Sequence, residues 1–142
     1  MATEAPDPGP TGCAKEKTVI ALGHGRVGSN NLERAKVFYD ALFGTVGVTP
    51  LFEHPSGGRV YGKDRKIFFV VLGPFDGRPA TVGNGSMHGF CFDTREEVSA
   101  FHAKALDLGG ADEGAPGERA PKFYMAYFRD LDGNKLCAFK IE

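Results

Sequence analysis

The chain repeats itself at an offset of 63 residues: Asn30 aligns with Asp93, Glu33 with Glu96, Phe38 with Phe101 and Gly47 with Gly110. The first copy begins with the β-branched run Thr18-Val19-Ile20-Ala21-Leu22, read as a strand that continues through Gly23 to Ser29. Asn30 with Glu33 three residues on signals a helix start, and Leu32, Ala35, Phe38, Tyr39 and Leu42 recur at helical spacing, which predicts a helix over Asn31–Phe43. Gly44 and Gly47 stop it, and the strand-like runs Val48–Glu53, Gly58–Gly62 and Lys66–Leu72 follow, joined by turns too short to hold a helix. After a Gly- and Pro-rich loop over Gly73–Gly85 the pattern starts again. Ser86–Phe92 reads as a strand, and Asp93-Thr94 cap a helix whose apolar stripe is Val98, Phe101, Ala105 and Leu108. A short strand near Ala111–Gly114 precedes two longer ones, Phe123–Arg129 and Lys135–Ile141. Each half is therefore β-α-β-β-β, with one helix to cover one face of four strands. Two such units predict an α+β fold, an open, barrel-like mixed sheet around a cavity with the helices outside. The units span about residues 16–73 and 85–142 of one domain over 16–142, and residues 1–15, which carry Pro, Gly, Ala and acid without hydrophobic period, read as a disordered tail.

Composition narrows the partners. Seventeen Lys and Arg against eighteen Asp and Glu, with no basic run, leave no broad positive surface for nucleic acid or an anionic membrane, so a small molecule is the expected partner. The longest apolar stretches, such as Ile67–Leu72, have the length of a strand and not of a membrane span. Met1–Gly12 is acidic and Pro-rich, unlike a secretory signal, which gives a cytoplasmic expectation. Cys13, Cys91 and Cys137 are odd in number and widely spaced, so free thiols are expected. Gly23-His24-Gly25-Arg26-Val27-Gly28 spells a dinucleotide fingerprint, with Glu53 at about the distance of a ribose-binding acid. A doubly wound sheet, however, needs helical crossovers that Val48–Leu72 has no room for. We therefore expect no NAD, and read the glycines as places where a strand passes close to a cavity or another backbone.

Four stretches resemble the vicinal oxygen chelate superfamily of glyoxalases, bleomycin-resistance proteins and extradiol dioxygenases. They are Leu32–Leu42, Gly83–Met87, Ala100–Gly110 and Tyr127–Leu136, and together the resemblance covers roughly residues 18–141. It implies paired β-α-β-β-β modules, in agreement with the repeat, and a homodimer. It also implies a divalent metal (Zn, Ni, Co, Mn or Fe) held in the trough by His and Glu from the first and last strand of each module. Matched position by position, the first slot falls on His24, the only metal ligand carried over. The second falls on Met87, with His88 one residue later and so on the opposite face unless a bulge intervenes. The last-strand slot is Cys137, and its counterpart in the first module lies near Phe68. Neither supplies a carboxylate, so glyoxalase-type isomerisation lacks its base and extradiol cleavage its complete iron set. His24, Cys137 and a shifted His88 form the remaining set that would suit zinc.

The expected ligand-binding residues are His24, Arg26, Met87, Tyr124 and Cys137, with His24 also the candidate metal ligand; no catalytic residue is assigned. Arg26 shares the face of His24 by alternation and suits a carboxylate or phosphate. Tyr124 and Tyr127 lie on opposite faces of their strand, so one at most lines the trough. Cys137 in a dry strand is a small hydrophobe unless a cation activates it, His88 reads as a structural histidine, and Asp130–Asn134 as a hairpin turn. Two functions follow from the resemblance. One is a glyoxalase-like protein that binds a compact, anionic organic molecule, with metal-assisted lyase or isomerase chemistry at a degenerate site. The alternative is a metal-independent protein that sequesters a drug-like molecule.

Overall fold

Helix α1 (Leu32–Gly44) forms because its apolar residues fall on one side: Ala35, Phe38, Tyr39, Leu42 and Phe43 are buried while Val37 is exposed. Its N-cap is Asn31, whose side chain accepts from the Arg34 amide at 3.1 Å, and not Asn30 as the sequence suggested. Asn30 instead brackets the linker, donating to Ala80 O and accepting from Ala80 N. Helix α2 (Arg95–Asp107) is capped by Thr94, whose hydroxyl accepts from the Glu97 amide and donates to the Glu97 carboxylate.

The computed structural model describes residues 20–142. The expected tail, with Thr18 and Val19, lies outside them. In chain order the strands are β1 (Gly25–Gly28), β2 (Thr49–Glu53), β3 (Arg59–Lys63), β4 (Lys66–Leu72), β5 (His88–Cys91), β6 (Ala111–Ala120), β7 (Phe123–Arg129) and β8 (Lys135–Ile141). They form two four-stranded mixed sheets, ordered β1-β4-β3-β2 and β5-β8-β7-β6, in which β1 runs parallel to β4 and β5 parallel to β8. This is the duplicated β-α-β-β-β order that the repeat predicts, left open. Three strand bounds differ from expectation. Residues 20–24 are not in a strand, so the first strand is only Gly25–Gly28; β5 is shorter than Ser86–Phe92; and β6 runs on to Ala120 through repeated register shifts against β7. Bulges let β6 absorb Gly114, Pro116 and Gly117, which read as breakers in isolation.

The two modules share one core. Phe90 of β5 lies 5.7 Å from Phe43, 5.6 Å from Phe69 and 5.6 Å from Phe101, ring centroid to centroid, so one ring joins both helices and both sheets. A polar clasp adds to this. The β7–β8 turn, Asp130–Asn134, reaches the first module, where Tyr39 Oη donates to the buried Asp130 carboxylate at 2.5 Å and Asn134 Nδ2 donates to Gly28 O at 2.9 Å. Asp130 Oδ1 also accepts the backbone amides of Asp132 and Asn134, which fixes the turn that presents it. At the turn surface, Arg34 Nη2 donates to Leu131 O at 3.0 Å. The glycines of the fingerprint serve close approach. A Cβ on Gly25 would stand 2.7 Å from the His88 ring, and one on Gly28 would stand 2.9 Å from the Ala80 methyl.

Candidate ligand-binding site

Alternation in the second sheet decides which side chains meet the helix and which face away from it. Ala126, Phe128, Leu136, Ala138 and Phe90 enter the core. Their neighbours Met125, Tyr127, Arg129, Lys135, Cys137 and Gly89 therefore occupy the other face, in the register Tyr127 opposite Cys137 and Arg129 opposite Lys135. In the first sheet Val60, Val70 and Leu72 form a separate small cluster, and Arg26 sits opposite Val70 on that same outer side.

The linker between the modules folds over this outer face. Gly83 and Gly85 take positive φ, 66° and 96°, and the Ser86 amide donates to Gly83 O at 3.0 Å, a turn that suits glycine. Beneath it lie two joined cavities. The larger, about 520 Å³, is lined by residues 82–87 with Tyr127, Arg129 and Lys135; the smaller, about 250 Å³, by Arg26, His88, Asn134 and Lys135 together with the same loop. Lys135 and Ser86 belong to both.

The electrostatics are one-sided. Arg129 is engaged, donating to Glu113 at 2.8 Å and to Gly133 O at 2.9 Å, and this guanidinium holds the Glu113 carboxyl below its ordinary range. Lys135 places its ammonium 5.3 Å over the Tyr127 ring and Arg26 is exposed; neither makes an ion pair with a described residue. Two cations without a described counter-ion thus line the smaller cavity with Ser86, and Tyr127 walls the adjoining larger one, surfaces suited to an anion with a small apolar body. His88 stands at the back with its ring edge-on to Phe69 at 5.6 Å, and burial lowers its pKa. The fold thus favours neutral His88. Its contribution to stability is present above the unfolded-state value near 6.5 and is lost as pH falls from there toward the lower folded-state value. We expect urea midpoints to drop as pH falls below about 6.5, and His88→Gln to flatten that decline.

The sequence-derived residues fall as follows. Arg26 lines the smaller cavity and Met87 the larger. Cys137 lies on the outer face but is buried between Gly89 and Tyr127, and desolvation pushes its pKa up to about 11, so the thiol keeps its proton at neutral pH. Tyr124 is on the helix side, its hydroxyl 3.4 Å from Ser99 Oγ and the Arg95 guanidinium 4.6 Å over its ring; the tyrosine that faces the cavity is Tyr127. His24 precedes β1, is exposed, and lines none of the cavities. Phe68 packs against the core. Among the described residues no three His, Cys, Asp or Glu side chains converge as metal donors, and the outer faces of β1, β4, β5 and β8 present no carboxylate. The donor set thus does not fit the divalent ion that the superfamily implies. Lys135, Ser86 and Tyr127 went unassigned in the sequence. The pairing of Tyr127 with Cys137 would have pointed to Tyr127, but that register depends on the length of the Asp130–Asn134 turn.

No protein-family model matches the chain, and no curated protein matches its sequence. Solved structures do. A glyoxalase/bleomycin resistance protein from Albidiferax ferrireducens is 41% identical over 85% of this chain and 98% of its own, with a TM-score of 0.76. The chain belongs to the glyoxalase/bleomycin resistance protein family. Within this family and the wider vicinal oxygen chelate superfamily the fold extends to distant members. A lactoylglutathione lyase from Agrobacterium tumefaciens is 20% identical over 84% of this chain and 92% of its own, with a TM-score of 0.63. A genomically encoded fosfomycin resistance protein from Listeria monocytogenes is 14% identical over 88% and 96%, with a TM-score of 0.65. These two establish the shared fold alone. Among the described residues no helix of this family member is long and apolar enough to cross a membrane.

Proposed function

We propose that this glyoxalase/bleomycin resistance family protein binds a compact organic anion, a carboxylate or phosphonate with a small apolar body, in the cavity beneath residues 82–87, and does so without a metal. The observation that carries this reading is the pairing of Arg26 and Lys135 on one 250 Å³ cavity that has no acidic side chain in its lining. Arg26 offers a planar, two-pronged donor and Lys135 a point charge, so a ligand with two or three terminal oxygens can meet both. Tyr127 and Met87, in the adjoining 520 Å³ space, receive the carbon skeleton. The half-buried His88, whose pKa burial lowers, supplies a wall of the smaller cavity. Among the described residues that line these cavities there is no carboxylate to act as a base, so holding the molecule is the activity that this chemistry supports. We carry a homodimer in the same proposal: Leu51 and Phe52 on the edge strand β2 remain 38% and 51% exposed, apolar area that a second copy would cover. The binding reading is tested by thermal shift in the presence of EDTA, with a panel of short mono- and dicarboxylates, alkylphosphonates, and uncharged and cationic isosteres. Anionic compounds are expected to raise the melting temperature and their isosteres to leave it unchanged; stabilisation by cations instead would refute the proposal.

A further inference from the structure

The carboxamide of Asn30, which the sequence marks as a helix start, is not used by the helix. It is instead the one hydrogen-bonding anchor, among the described residues, of the linker between the modules. Across Pro74–Ser86 the other hydrogen bonds close within the segment: the Gly77 amide on Pro74 O, the Arg78 amide on Asp76 Oδ1 and the Ser86 amide on Gly83 O. Ala80 alone reaches out. Its carbonyl accepts from Asn30 Nδ2 at 3.1 Å and its amide donates to Asn30 Oδ1 at 2.7 Å. One planar carboxamide thus satisfies both backbone groups of one residue, as a neighbouring strand would. Asn30 is itself fixed, since its own amide donates to Asp132 Oδ1 at 3.0 Å.

We propose that Asn30 is the positioning residue of the ligand cavity: its carboxamide holds residues 82–87 over the face that carries Arg26 and Lys135, and without it this roof lifts. The packing at Ala80 agrees. Ala80 can approach because position 28 is glycine, where a Cβ would stand 2.9 Å from the Ala80 methyl. Two residues on, Val82 rests over the β7–β8 turn, where a Cβ on Gly133 would stand 3.2 Å from Val82 Cγ1. Val82 then opens the stretch that lines both cavities. At its far end the roof is held by strand pairing, since β5 starts at His88 opposite Leu136. At its near end the polar hold is Asn30. Between the two points Gly83 and Gly85 take positive φ, and the one hydrogen bond, Ser86 to Gly83, is internal, so the place of the roof is set by its ends. The role in binding rests on the anion site proposed above; the hold on the linker does not.

The test reads the linker before any ligand is added. Asn30→Ala removes the carboxamide but leaves the helix cap, which is Asn31, and the bond to Asp132, which uses the backbone amide. Backbone order parameters from NMR relaxation are expected near about 0.85 over residues 81–86 of the unaltered protein and below about 0.6 in the variant, with α1 and β8 unchanged. Gly28→Ala keeps Asn30 and displaces Ala80 with a methyl group, and it should loosen the same residues. A linker that stays rigid in Asn30→Ala, or a loss of order that spreads through α1 and β8, would overturn the proposal. Binding is then read with propylphosphonate, whose dissociation constant should rise roughly 3- to 10-fold in Asn30→Ala, because full affinity needs the roof in place. An unchanged constant beside a loosened linker would overturn the positioning role. Failure of the unaltered protein to bind propylphosphonate would count against the anion reading alone, and the order parameters would still decide whether Asn30 holds the linker.

Discussion

Asp130→Ala is expected to lower the unfolding free energy by about 3–5 kcal/mol, because it leaves several buried donors unmatched. In the native protein this carboxylate accepts from Tyr39 Oη, from the amides of Asp132 and Asn134, and from Asn134 Nδ2. Burial beside it holds the Tyr39 hydroxyl firmly protonated, so Tyr39 is a constant donor at ordinary pH. The residue also ties the second module to α1 of the first, so its loss should loosen the seam as well as the turn. Tyr39→Phe removes a single donor to a charged acceptor and should cost about 1.5–3 kcal/mol. Asp132→Ala, which loses the bond from the Asn30 amide and the 3.9 Å ion pair with Arg34, should cost less than Asp130→Ala, since it leaves fewer donors unmatched. For a domain of this size the first change corresponds to a fall in melting temperature of roughly 10 °C or more. Urea denaturation of the three variants checks the order. Similar losses for Asp130→Ala and Asp132→Ala would show that the buried donors around Asp130 do not set the cost.

The second large effect is on binding. Arg26→Ala and Lys135→Ala should each weaken an anionic ligand by roughly 10- to 100-fold, the worth of one charge-assisted hydrogen bond within a partly desolvated cavity, about 1.5–3 kcal/mol. Arg26→Lys should recover only part of the loss, since an ammonium cannot grip two oxygens in one plane. Stability should change little in these variants, because Arg26 is exposed and the Lys135 ammonium makes no ion pair with a described residue and lies over the Tyr127 ring. Calorimetric titration of each variant with the best compound of the panel checks the prediction. An unchanged affinity in both alanine variants would remove the cavity beneath residues 82–87 from consideration.

Most of the fold was legible because it rests on local signals. The stripe of Ala35, Phe38, Tyr39 and Leu42, the Thr94 cap and the strands Phe123–Arg129 and Lys135–Ile141 are all set by neighbours a few residues away. The duplication, read from four aligned pairs, predicted the β-α-β-β-β succession of elements in both halves. What failed was decided across the chain. Asn30 looks like a cap, yet its side chain is taken by Ala80, fifty residues on, and Asn31 caps instead. The run Thr18–Leu22 has strand chemistry, but a strand needs a partner edge, and in the described part Ile20 and Leu22 have none. At the site, Arg26 and Met87 could be placed by alternation within one strand or its approach. Choosing Tyr127 over Tyr124 required knowing which face α2 covers, a tertiary fact. Lys135 sits beside a turn whose sequence advertises only the turn, and its role shows when the linker folds over it.

The central claim is that charge, and not a metal, holds the ligand. The direct measurement is calorimetric titration of the best anionic compound into protein stripped with chelator, and again after equilibration with zinc, nickel, cobalt, manganese or iron(II). The account predicts one dissociation constant throughout, weakened by Arg26→Ala to the same degree in every condition. Binding that disappears on stripping and returns with one of these ions would contradict it.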